Sequence, residues 1–260
     1  MTPEEKTAIA SFLHLTADYL KNGHTRPHGD HSFIEDEPSK NEKNSSSSLP
    51  LAYSVEEPGE ANEEASWELN DSLTSIAAGI RACKACGLGA TRKQAVPGEG
   101  ADQPLVLVIG EGPGADEDAA GRPFVGRAGQ LLDKMLASIG LSRGKNCFIA
   151  NMVKCRPPGN RDPGPEEISA CSSYLERQIL LLKPQIILCA GRVAAQNLLK
   201  TSIGINALRG QFAELTIGEN VFQVLPTFHP SALLRDESLK RPAWEDLKLL
   251  KSRLVFPDEG

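Results

Sequence analysis

Apolar positions follow two textures along this chain. From residue 105 onward, unbroken apolar runs alternate with segments whose apolar side chains recur every three to four residues. Residues 105–109 (LVLVI) end in Gly110, the pattern of a strand buried on both faces of a parallel sheet. Leu131, Leu132, Met135 and Leu136 fit a helix over 128–139, followed by a strand over 148–153 and a helix over 165–182 opened by Pro and two Glu. A third strand is predicted at 186–190, with Gly191 leading into a helix over 192–199. Strands at 212–215 and 221–225 flank the turn Gly218-Glu219-Asn220, and a helix from about 242 to 254 closes the pattern. Strands alternating with helices predict an α/β fold, a three-layer α/β/α sandwich on a mostly parallel central sheet. Ligands bind such sheets at the carboxyl ends of the strands, which singles out the segments after Ile109, Ala150 and Leu225.

The first 72 residues read differently. Ala8, Phe12, Leu15 and Tyr19 fit an amphipathic helix over 3–21 that Gly23 would end, and 22–70 are too polar to offset their ordering entropy, so a linker is expected there. This extension carries 5 Lys and Arg against 15 Asp and Glu, a net of −10, whereas residues 73–260 carry 23 against 19, a net of +4. The overall charge of −6 therefore belongs to an appendage on a mildly basic working domain. No apolar run approaches the roughly 20 residues of a membrane span, and the N-terminus has no signal-peptide pattern. No membrane association and a reducing cytoplasmic location are expected, so the cysteines are not read as a disulfide framework.

Six cysteines divide by their surroundings. Cys147 and Cys189 lie in or beside apolar runs, where a thiol behaves as a small hydrophobe. Cys83 and Cys86 form a C-x2-C, and Cys155 and Cys171 lie far downstream in polar surroundings. Two close ligands plus two distant ones are metal-binding arithmetic. The wide spacing of the second pair suits an iron–sulfur cluster better than zinc and leaves both standing.

Chemistry also gathers after the strands. Gly110-Glu111-Gly112-Pro113-Gly114 follows the first one, and its backbone could approach a ligand closely. It matches neither a P-loop nor a dinucleotide fingerprint. Phe124, in a Gly- and Pro-rich loop over 115–126, is either a stacking platform or a loop residue folded onto the core. Asn151 ends the second strand and can offer a donor and an acceptor to a base edge. Lys154, Arg156 and Arg161 follow and could meet phosphates. After the last strand, His229 is followed by Ser231, Leu233, Leu234 and Arg235, where an exposed Leu-Leu would suit a wedge for nucleic acid.

Taken together, G-E-G-P-G, G-R-P-F-V-G-x-A-G-Q-L-L, N-x-x-K-C-R-P-P and H-P-S resemble the family 4 uracil-DNA glycosylases, the iron–sulfur branch of that superfamily. The resemblance covers about residues 76–254 in order. It implies hydrolysis of the N-glycosidic bond of deoxyuridine in single- or double-stranded DNA, leaving an abasic site for base excision repair. It implies a [4Fe–4S] cluster on Cys83, Cys86, Cys155 and Cys171. Phe124 would stack on the extruded uracil, Asn151 would read its pairing edge and His229 would stabilise the leaving anion. Glu111 and Glu117 would lie near sugar and base, with Glu117 expected ahead of Glu111 to position water, because Gly112 stands where the best-known relatives place an activating Asp. Gly112, Gly114 and Ser231 would line the base pocket; Lys154, Arg156, Leu233, Leu234 and Arg235 would contact DNA. A monomer is expected, with the extension competing with phosphates for the basic loops, serving as an inert linker, or docking a repair or replication partner. An inactive nucleic-acid-binding module and an electron-transfer protein are the alternatives.

Overall fold

The computed structural model describes residues 71–257; the helix expected over 3–21 and the linker expected over 22–70 lie outside them. Helices α1 (Leu73–Ala82) and α2 (Leu88–Thr91) lead into β1 (Glu99–Gly100) and β2 (Val106–Gly110). Then come α3 (Ala115–Ala120), α4 (Arg127–Ala137), β3 (Cys147–Asn151), α5 (Pro165–Leu182), β4 (Ile186–Ala190), α6 (Arg192–Leu198) and α7 (Ile205–Leu208). The hairpin β5 (Ala213–Ile217) and β6 (Asn220–Thr227) precedes α8 (Pro230–Arg235) and α9 (Lys240–Arg253).

Six strands form one sheet in the order β1-β3-β2-β4-β6-β5. The central four are parallel, and β1 and β5 run antiparallel at the two edges. Strand β2 alternates its side chains between two cores. Val106 and Val108 face Leu132, Met135 and Leu136 of α4 and Leu247 and Leu250 of α9; Leu107 and Ile109 face Leu175 and Ile179 of α5 and Ala194 and Ala195 of α6. Helices thus cover both faces, which is why β2, β3 and β4 are wholly apolar up to their last residues. The expected three-layer sandwich is the observed architecture. Cys147 and Cys189 are buried in β3 and β4, and burial pushes both thiols up to about 12, so they act as hydrophobes.

Register sets the stage for function. Gly110 pairs with Asn151, Ile109 with Cys189, and Ala190 with Thr227, so the four parallel strands end along one edge. From β2 the chain winds to β3 on one side and then crosses to β4 on the other, placing a topological switch point at the end of β2.

The pattern does not foretell β1, α1, α2 or α7, and two segments expected as loops are helical. Residues 115–120 are helical, because the Glu117 carboxylate accepts from the Gly114 amide at 3.0 Å and caps the turn that Gly114 opens. The stretch after His229 is also a helix, α8, with Pro230 in its first turn; Leu233 is fully buried against α4 and α9, and only Leu234 is exposed. The expected Leu-Leu wedge is therefore corrected to a single leucine, since a helix turns adjacent side chains to different faces.

Helix α1 begins with a reciprocal cap. Ser72 Oγ accepts from the Ser75 amide and Ser75 Oγ accepts from the Ser72 amide, both at 3.0 Å, while Asp71 forms a two-pronged ion pair with Arg177 of α5. Ser72→Ala should lower stability by about 1 kcal/mol, the usual worth of an N-cap, in urea unfolding followed by circular dichroism; no change would show that the ion pair alone holds this end of α1.

Candidate active site

A cleft of about 560 Å³ opens above the carboxyl ends of β2, β3 and β6. Glu111, Gly112, Gly114 and Glu117 line it from the loop after β2, Asn151 from the end of β3, and His229 and Ser231 from the start of α8. The packing at its floor is tight. A Cβ on Gly110 would lie 2.5 Å from Asn151 Oδ1 and 2.6 Å from the Phe124 ring, so only glycine lets these two side chains converge over the end of β2. Gly191, at φ 101°, lies so close to His229 that a Cβ would come within 2.9 Å of the histidine's own.

Phe124 adopts φ 51°, uncommon for an aromatic residue, and its ring centroid lies 5.5 Å from that of His229 at a 31° tilt. This geometry has visible supports. Arg143 donates to the carbonyls of Pro123 (2.8 Å) and Phe124 (2.9 Å) while pairing with Asp133 and Glu99. Glu117 completes the loop: beyond its bond to Gly114, its Oε1 accepts from the amides of Val125 and Gly126 at 2.9 Å each. Three backbone N–H groups thus claim the Glu117 carboxylate. Glu111 also lines the cleft; burial, then the nearby Asp162, raises its pKa against a smaller opposite pull from Arg192. A Cβ on Gly112 would lie 2.9 Å from Val153 Cγ2, so this position is packed for glycine.

Asn151 is buried, and its Oδ1 has no hydrogen-bond partner among the described residues. Unsatisfied buried acceptors cost roughly 1–3 kcal/mol, so such an atom in a cleft marks a place for a ligand donor. His229 is oriented by Ser231, whose amide donates to Nδ1 at 3.1 Å and whose Oγ lies 2.8 Å from it. That leaves the proton of the neutral ring on Nε2.

Below the cleft, Cys83, Cys86, Cys155 and Cys171 line a second hollow with Ile80, Ala170, Arg92, Lys154 and Tyr174. Arg92 donates to Cys155 Sγ at 2.9 Å and to the carbonyl of Cys83 at 3.1 Å. Burial pushes the Cys155 and Cys171 thiols up, and the adjacent Arg92 and Lys154 pull them back down. Four sulfur donors beside two cations form a cradle suited to an anionic, thiolate-bound group. Among the described residues, no three His, Cys, Asp or Glu side chains are arranged to hold a single metal ion.

Residues 97–248 match the Uracil DNA glycosylase superfamily. The chain is 44% identical over 189 residues to the type-4 uracil-DNA glycosylase of Saccharolobus solfataricus, covering 71% of this chain and 87% of that protein. It is 42% identical to those of Archaeoglobus fulgidus (68% and 91% covered) and Thermotoga maritima (66% and 90%). This chain belongs to the uracil-DNA glycosylase superfamily.

Most site residues expected of a superfamily member converge, and some do not. Glu111, Gly112, Gly114, Glu117, Phe124, Asn151, His229 and Ser231 share the cleft, and the four cysteines share the cradle. Lys154, expected on DNA phosphates, is 1% exposed and points inward; burial lowers its pKa to about 8, so it cannot reach DNA. Leu233 is likewise inaccessible. Arg156 is partly exposed and donates to Asn160 Oδ1 at 2.8 Å, and Arg235, at the surface, lines the cleft and reaches Ser231 Oγ at 3.3 Å. Sequence reading missed Arg92, Arg143 and Gln178, whose partners lie 9 to 81 positions away, beyond any local pattern.

Desolvation and, second, the Arg235 guanidinium lower the His229 pKa from 6.5 to about 4, against a weaker pull from Glu117. The folded ring therefore stays neutral while an unfolded ring protonates near 6.5. His229 should support stability fully above about pH 6.5 and lose that support as pH falls through 4. Histidine NMR should show this ring titrating near 4; a midpoint near 6.5 would mean a solvated, cationic-competent ring.

Proposed function

We propose that this chain flips deoxyuridine out of DNA and hydrolyses its N-glycosidic bond, releasing uracil and leaving an abasic site. The partnerless Asn151 Oδ1 carries the reading. Uracil N3–H is a donor for that atom, and the Asn151 amide NH2 remains for uracil O4. Cytosine presents an acceptor at N3 and an amino donor at position 4, setting like against like in a buried site, and such mismatches are heavily penalised. The type-4 name of the relatives supports the same substrate.

Departure of uracil sends the C1′–N1 bonding pair to the base, leaving an oxocarbenium-like sugar and an anion centred on N1 and O2. Phe124 supplies the stacking face and a neutral His229 donates from Nε2 to O2, an anion-stabilising contact preorganised by Ser231. Water then adds to C1′ and gives its proton to a carboxylate. We assign that role to Glu111, whose burial raises its proton affinity, because the Glu117 oxygens already hold the Phe124 loop. Arg156, Arg235 and Leu234, each at least partly exposed, would engage backbone and gap once the base is extruded.

Cys83, Cys86, Cys155 and Cys171 would hold a [4Fe–4S] cluster through their four thiolates. Bound there, it would tie together the segments that carry these cysteines. The Arg92 and Lys154 charges beside the sulfurs support an anionic group.

Asn151→Asp should lower single-turnover uracil release from a uracil-containing oligonucleotide and admit trace cytosine release; unchanged uracil kinetics would remove Asn151 from base reading. His229→Ala should slow the same step by roughly 10²–10³, the scale of one anion-site donor. A loss under about threefold, far short of that scale, would refute its role. Cys83→Ala or Cys171→Ala should abolish iron and visible absorbance in anaerobically purified protein, whereas Cys147→Ala and Cys189→Ala should retain both; stoichiometric zinc in wild type would overturn the cluster.

A further inference from the structure

Lys154 lies between the cysteine cradle and the cleft and bonds in both directions. It lines the hollow with the four cysteines, next in sequence to Cys155, and its carbonyl accepts from the Val96 amide at 2.8 Å. Its ammonium donates to the Asn151 carbonyl at 2.9 Å and to Gln178 Oε1 at 2.7 Å. Gln178, itself 1% exposed, donates onward to the Pro97 carbonyl at 2.7 Å. Gln178 and Cys171 sit seven residues apart on α5, two turns along one helical face. A wholly buried lysine is expensive to desolvate and persists only where every donor has a fixed partner.

We propose that Lys154 and Gln178 are positioning residues that transmit the geometry of the cysteine cradle to Asn151, acting as a polar strut between the cluster site and base reading. The inference rests on the glycosylase reading and names a role beyond it. The strut grips the peptide of Asn151 itself. The neighbouring amides of Met152 and Val153, which donate to the carbonyls of Gly110 (2.9 Å) and Glu111 (3.2 Å), couple the same segment to the catalytic loop. Removing the strut should leave DNA contacts in place and loosen the aim of Asn151.

The test uses full-length protein purified anaerobically. Lys154→Met combined with Gln178→Leu removes both polar groups together, avoiding an unpaired buried charge. This double variant should keep wild-type iron content and affinity for abasic-site DNA, while single-turnover uracil release falls about tenfold, the scale of one directed hydrogen bond. Hydrogen exchange at Met152 and Val153 should accelerate in step. Gln178→Glu, which preserves an acceptor for Lys154, should retain at least half the rate. Wild-type rate and exchange in the double variant would overturn the strut, and so would loss of iron in parallel with rate, which would confine Lys154 to the cradle. Should the double variant fail to fold, Lys154→Met alone, which leaves no buried charge, carries the same comparison. Failure of wild-type protein to release uracil would refute the glycosylase reading, whereas the exchange measurement decides the strut independently of catalysis.

Discussion

Parallel pairing in one register is the constraint on which this molecule depends. Because Gly110 lies opposite Asn151 and Ala190 opposite Thr227, the loops leaving β2, β3 and β6 emerge at one level of one sheet edge. The two apolar faces of β2 hold that register: a one-residue slip would exchange the α4 side for the α5 side at every position. Residues from distant parts of the sequence then meet without any of them needing a long reach.

The cleft is stiffened by hydrogen bonds to backbone rather than by contacts among the functional side chains. Arg143 and Glu117 hold the loop that presents Phe124, one through carbonyls and the other through amides. Ser231 fixes the histidine, and the buried Asp246, paired with the partly exposed Arg209 and accepting from Thr227 at 2.7 Å, anchors the strand end just before it. Among the described residues, Asn151 Oδ1 is the buried side-chain acceptor that this scaffolding leaves without a hydrogen-bond partner.

The cysteine cradle and the cleft are one construction. Segment 151–155 carries the base-reading candidate at one end and a cradle cysteine at the other, with Lys154 turned inward between them. Whatever sets the cradle's geometry therefore acts within four residues of Asn151. A group bound there has a mechanical route to the site without exchanging an electron.

By itself the sequence determined the layer architecture, every strand except the short edge strand β1, and the residue types that gather at the strand ends. Runs such as 105–109 read as strands covered on both sides, and the Gly-, Asn- and His-bearing segments after them as the places where a ligand meets the sheet edge, though parts of two of them fold as helices. It also separated the four cradle cysteines from the two core ones by their surroundings. Tertiary structure decided what each charged or apolar side chain in those loops faces. Lys154 reads as a phosphate contact and Leu233 as a wedge until packing turns both inward, and only the fold brings three amides of its own loop to the Glu117 carboxylate. Local sequence specifies backbone state and residue type. Direction comes from partners such as Gln178, Pro97 and α4, brought in from far along the chain, and only the folded chain places them.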